Sequence, residues 1–123
     1  MFDKPLQLFT FSVDSLFMLA YHTNMKAKLI KHNKLTDELG NTIEVKIWSV
    51  AKASDKPHGF KYSLVYIVNG ERVVGYDNAE GKGDHKHLKQ DSILKEIPYQ
   101  FESLRKLVDD FLKDMENIKG GGL

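Results

Sequence analysis

No cysteine occurs among the 123 residues. A disulfide framework, a thiolate metal site and a cysteine nucleophile are therefore excluded, and any metal must be held by His, Asp or Glu. Excess charge of one sign is also missing: 18 basic residues stand against 17 acidic ones, for a net charge of +1. Such a chain has no global field of the kind that drives nonspecific nucleic-acid binding, so a basic site would have to be local. Long hydrophobic runs are lacking too. The longest apolar stretch, Leu16 to Tyr21, falls far short of the ~20 residues that span a bilayer. It also makes a poor secretory signal. Asp3 and Lys4 cancel upstream of it, and Tyr21-His22-Thr23 offers no small-x-small cleavage site. These absences predict a soluble, cytoplasmic protein with no membrane partner. At 14.1 kDa, one domain can bury roughly two-thirds of its unfolded surface and hold a core without staples.

What is present falls into three parts. Residues 1–24 are rich in Phe and Leu, and Leu16, Leu19 and Ala20 near helical spacing behind Asp14 or Ser15 predict a short N-terminal helix. Either this segment is an extension upstream of a natural start at Met25, or its helix covers one end of a sheet. From Lys26 the pattern has period two, with Ala27, Leu29 and Lys31 on one side and Lys26, Lys28 and Ile30 on the other. Thr42 to Trp48 alternates again behind an Asp37–Asn41 turn, which predicts a hairpin with Ile43, Val45 and Ile47 inward and Glu44, Lys46 and Trp48 outward. After a loop at 52–59, Phe60–Val68 is the strongest strand, and Asn69-Gly70 turns it into Glu71–Asp77.

Past a glycine-rich loop and the extended Pro98–Phe101, the pattern becomes helical. Leu104, Leu107, Val108, Phe111, Met115 and Ile118 recur at three and four residues behind Ser103 as the cap. The expected architecture is an α+β domain over residues 25–118. An antiparallel meander of four to five strands packs its concave face against the C-terminal amphipathic helix, and residues 119–123 form a flexible tail.

One segment holds more chemistry than folding requires. Tyr76 to Leu88 (YDNAEGKGDHKHL) packs Asp77, Asn78, Gly81, Lys82, Gly83, Asp84, His85, Lys86 and His87 into 13 residues with little to bury. Gly81 and Gly83 permit positive φ, so the backbone around Lys82 suits an anion. GKG is not the phosphate loop of NTPases, which needs GxxxxGK[ST]. If Asp84–Leu88 is extended, His85 and His87 share one face while Asp84 and Lys86 share the other. Two imidazoles side by side suit metal-free RNA transesterification. One takes the 2′-hydroxyl proton, the other protonates the leaving 5′-oxygen, and Lys82 or Lys86 stabilises charge on phosphorus. HxH spacing equally suits two metal ligands, with Asp77 or Asp84 as a third. The bland alternative is a solvated loop. His22, His32 and His58 are ordinary surface residues on this reading, and Asp109-Asp110 is a solvated helix face. Trp48, Tyr62, Tyr66 and Tyr76 divide between core and surface, and an outward Trp48 or Tyr62 could stack a base.

The order of blocks resembles a known family. MKAKLI at Met25, the strand ending in Ile47-Trp48, Gly59–Tyr62, Asn69–Asn78 (NGERVVGYDN), Gly81–His87 (GKGDHKH) and Tyr99-x-Phe101 before an amphipathic helix are similar to the TumE family of small toxins of type II toxin–antitoxin modules. The resemblance covers residues 25–118 and departs in the first 24. It implies a neighbouring antitoxin, typically a helix-turn-helix protein, that holds the toxin inactive. It also marks Tyr76, Asp77, Asn78, Gly81, Lys82, Gly83, Asp84, His85 and His87 as family positions. By analogy with other small toxins, the expected activity is a metal-independent endoribonuclease needing no cofactor. His85, His87, Lys82 and Asp84 would be catalytic, and Tyr76, Asp77, Asn78, Gly81, Gly83 and Lys86 would bind substrate. RNA, the antitoxin and a second copy of the chain are the expected partners. A noncatalytic protein- or nucleic-acid-binding module and a metal-dependent nuclease using Asp77, Asp84, His85 and His87 remain the alternatives.

Overall fold

Alternation in β2 (Thr42–Ser49) divides the molecule into two sides. Ile43, Val45 and Ile47 are buried, as expected, and Glu44, Lys46 and Trp48 between them are only half-buried. The computed structural model describes residues 27–79 and 81–120. The predicted N-terminal helix, the Met25 start and residues 121–123 of the predicted tail lie outside these residues; Lys119, expected to open that tail, is instead the last residue of the C-terminal helix, with Gly120 as its cap. Around β2 stand β1 (Lys28–Thr36), β3 (Phe60–Val68), β4 (Glu71–Asp77), β5 (His85–Gln90) and β6 (Ile93–Pro98), followed by the helix α1 (Leu104–Lys119). All pairings are antiparallel, and the strands lie in chain order in one sheet. The α+β meander is as expected, but it has six strands rather than four to five. The unpredicted one is β6. It is an exposed edge with no apolar alternation, reached through Asp91 and Ser92, both at positive φ without a glycine.

The core lies between one face of the sheet and α1. Tyr62, Leu64 and Tyr66 of β3, Val74 and Tyr76 of β4 and Leu88 of β5 meet Leu104, Leu107, Val108, Phe111 and Met115. Burying side chains of this size contributes about 1.5–3 kcal/mol each. Ser103 caps α1 as predicted, its Oγ accepting from the Lys106 amide at 3.0 Å. No helix of the described residues is long and apolar enough to cross a membrane.

Two bulges reassign side chains that strict alternation misplaces. In β1 the register slips between Leu29 and Lys31. Leu29 therefore lies beside Trp48 and is exposed, while Lys31 pairs with Ile47 on the other face, so the two do not share a side as expected. Burial accordingly lowers the Lys31 ammonium from its ordinary value. In β4 the slip falls at Val73, which pairs Arg72 with Ile67 and Val74 with Tyr66. Both valines are buried. Arg72 is turned onto the same outer face as Gly75 and Asp77, a re-aiming for which bulges are well suited.

Asp37 ties the β1–β2 turn to the rest of the fold. Its Oδ1 accepts the amides of Leu39 and Asn41, both at 2.9 Å, and its Oδ2 accepts the Tyr66 hydroxyl at 2.6 Å. Burial opposes ionisation, yet the Tyr66 hydroxyl, those two amides and Lys119 together hold the carboxyl below its ordinary 3.8. A depressed folded value means stability that is present above 3.8 and lost as pH falls through the folded value. Asp37→Asn is therefore expected to cost about 1–3 kcal/mol near neutral pH. That cost should shrink in urea titrations as pH is lowered below the ordinary 3.8 and the native carboxylate takes up its proton.

Candidate functional site

Cross-strand register assembles a cluster on the outer face of the sheet. Asp77 pairs with His85, Gly75 with His87, and His87 with Glu96. Because side chains alternate along a strand, Asp77, His85, His87 and Glu96 all point to the side opposite α1. The two rings stand edge to face with centres 5.1 Å apart, so the predicted sharing of a face by His85 and His87 is found. Gly75 contributes by having no side chain. A Cβ there would come within 3.1 Å of Arg72 Cδ, so the bulged Arg72 can lie back over the strand.

The two histidines have different surroundings. His85 is buried, its Nδ1 donating to the Gly83 carbonyl at 3.0 Å and its Nε2 lying 3.0 Å from Asp77 Oδ1. A carbonyl on one side and a carboxylate on the other suit a ring with both protons in place. His87 Nε2 lies 3.6 Å from Glu96 Oε1, and its buried Nδ1 has no hydrogen-bond partner. Asp77, His85 and His87 each place one ligand-capable atom within 4.8 Å of the others.

A cavity of about 390 Å³ opens beside the pair, lined by Lys46, Trp48, Lys61, Arg72 and Lys82 as well as Asp77 and both histidines. The chain is nearly neutral overall, and Lys46, Lys61, Arg72 and Lys82 make this a locally basic surface. Lys61 Nζ sits 5.2 Å from the centre of the Trp48 ring, a cation–π distance. Gly81 and Gly83 adopt φ of +74° and +79°, as their placement around Lys82 predicted. Lys82 itself is exposed, with its ammonium 3.8 Å from Glu96.

The remaining predicted residues lie on the helix side of the sheet. Lys86 Nζ is 3.1 Å from Asp114 Oδ2, and the Tyr76 hydroxyl donates to that same carboxylate. Burial first, and then Asp114, pushes the Tyr76 phenol far above its ordinary value. Asn78 is fully buried, accepting from the Tyr62 amide at 3.1 Å and donating to the Phe60 carbonyl at 2.8 Å. Asp84 accepts from the Tyr62 hydroxyl at 2.6 Å and from His58 Nε2 at 3.0 Å. The Phe60 amide donates to His58 Nδ1 at 3.2 Å, so the His58 proton sits on Nε2 and both nitrogens are committed. His58 also stacks on Phe101 with ring centres 3.9 Å apart. Of the two carboxylates expected near the histidine pair, Asp77 is there and Asp84 serves this second network instead. Tyr62 is in the core, which leaves Trp48 as the outward aromatic.

Arg72, Gly75, Glu96 and His58 were not singled out from the sequence. The bulge hid Arg72 and Gly75, the missed β6 hid Glu96, and His58 carries no local signal beyond its loop neighbours. Asp110 was assigned to a solvated face, yet it accepts the Tyr99 hydroxyl at 2.6 Å.

A family model described as Toxin TumE matches residues 18–119. No curated protein and no solved structure matches the chain.

Proposed function

This chain belongs to the TumE toxin family, and we propose that it acts as a metal-independent endoribonuclease through His85 and His87. The observation that carries the proposal is the unequal pair: one ring held between a carbonyl and a carboxylate, the other making no hydrogen bond where it lines the cavity. His87 Nε2 takes the proton of a ribose 2′-hydroxyl, and the 2′-oxygen attacks phosphorus. The bond from phosphorus to the 5′-oxygen breaks, and His85 delivers its Nε2 proton to that leaving oxygen. A 2′,3′-cyclic phosphate and a 5′-hydroxyl result. Asp77 positions His85, while Arg72, Lys46, Lys61 and Lys82 around the cavity offset the negative charge that builds on the phosphoryl oxygens.

Trp48, half-buried on the outer face, lines the cavity and is placed to stack a single unpaired base as single-stranded RNA is commonly held. Trp48→Ala is expected to raise KM about tenfold or more with kcat little changed, since base stacking contributes about 1–3 kcal/mol. Steady-state cleavage of a short single-stranded RNA checks this. On this reading the toxin works in the cytoplasm on RNA, and the antitoxin that restrains it is a helix-turn-helix protein. Incubation with end-labelled RNA in EDTA tests the activity: wild type cuts, His87→Ala does not, and intact RNA in both lanes contradicts the proposal for free RNA.

A further inference from the structure

We infer that Asp77, His85 and His87 form a site for a divalent transition-metal ion of the zinc class, with Glu96 beside them as a further donor, and that occupancy switches the toxin off. The inhibitory half rests on the ribonuclease reading. The binding half stands on geometry alone.

In a tetrahedral zinc site with bonds of about 2.1 Å, neighbouring donor atoms sit roughly 3.4 Å apart. His85 Nε2 already lies 3.0 Å from Asp77 Oδ1 and 3.9 Å from Glu96 Oε2, and His87 Nε2 lies 3.6 Å from Glu96 Oε1. One ligand atom from each of Asp77, His85 and His87 falls within 4.8 Å of the rest, so small side-chain rotations bring them around one ion. His85 is fixed for ligation from behind. Its Nδ1 donates to the Gly83 carbonyl at 3.0 Å, the second contact that metal-bound histidines regularly make, and this aims Nε2 at the cluster.

The other histidine–carboxylate contacts lack these features. His58 has both nitrogens committed, and His32, itself exposed, meets one carboxylate, Glu44, at 2.8 Å. Two imidazoles with one or two carboxylates select zinc, cobalt or nickel over magnesium or calcium. The ion would occupy the electron pair with which His87 accepts a proton and the nitrogen from which His85 releases one. Acid and base are removed together.

Isothermal titration of zinc chloride into the chelator-treated full chain tests the site. Wild type is expected to bind one equivalent, His87→Ala and Asp77→Asn to bind at least tenfold more weakly, and His32→Ala to match wild type. Circular dichroism confirms that each variant is folded. A wild type that takes up no zinc, or a His87→Ala chain that binds as tightly as wild type, overturns the site. In a parallel RNA assay, saturating zinc should lower cleavage at least tenfold, with EDTA restoring it. Zinc binding with unchanged cleavage overturns the inhibitory role alone. Cleavage that appears only with zinc overturns that role together with the metal-independent reading, and supports the site.

Discussion

His87→Ala is expected to lower the single-turnover rate of RNA cleavage by about 100- to 10,000-fold, the usual loss when a positioned general base is removed. Growth arrest on expression should disappear with it. Its side chain makes no hydrogen bond but is only 15% exposed and packs on His85, so the variant should lose some packing stability while remaining folded by circular dichroism, and lost activity can then be assigned to chemistry. His85→Ala should lose as much activity but also some stability, because the ring is buried and bonded to Gly83. The double variant should be little worse than either single one, as residues acting in one proton relay are not additive. Two folded single variants that remain toxic would contradict the histidine mechanism.

Asp84→Ala is expected to act on stability rather than chemistry. The carboxylate is the shared acceptor for the Tyr62 hydroxyl at 2.6 Å, His58 Nε2 at 3.0 Å and Asn78 Nδ2 at 3.3 Å. Removing it leaves the Tyr62 hydroxyl and His58 Nε2 without their acceptor, while Asn78 Nδ2 keeps the Phe60 carbonyl; each donor left unpaired costs about 1–3 kcal/mol when buried. A loss of about 3–5 kcal/mol is a large part of the 5–15 kcal/mol that holds a domain of this size. Urea unfolding measures it. Burial first, then the bond to Asp84, holds the Tyr62 phenol far above its ordinary value, so tyrosine absorbance in base offers a second readout: the Asp84→Ala phenol should ionise at lower pH. A variant as stable as wild type yet unable to cut RNA would place Asp84 in the chemistry after all.

Local signals made much of this fold legible. The Asn69-Gly70 turn, with φ of 52° and 76°, the alternation of β2 and the Ser103 cap are each dictated by a few neighbouring residues. So is the shared face of His85 and His87, which needs only the two-residue period of a strand. Nonlocal facts were less accessible. Glu96 meets His87 through the β5–β6 register, and β6 gave no signal because an exposed edge strand has no apolar face to alternate. Arg72 joins Asp77 only because Val73 bulges; five positions apart on a regular strand, they would face opposite ways. The segment from Tyr76 to His87 looks like one cluster in sequence because chemically useful residues crowd it. Alternation then sends Tyr76, Lys86 and Asp84 to one side and Asp77, His85 and His87 to the other.

The most direct test of the central claim is the chemistry of the cut ends. RNA cleaved by the purified toxin in EDTA should carry 2′,3′-cyclic phosphate and 5′-hydroxyl termini, the products of attack by the neighbouring 2′-oxygen with histidines moving the protons. Termini bearing 5′-phosphate and 3′-hydroxyl, or cleavage that EDTA abolishes, would contradict it.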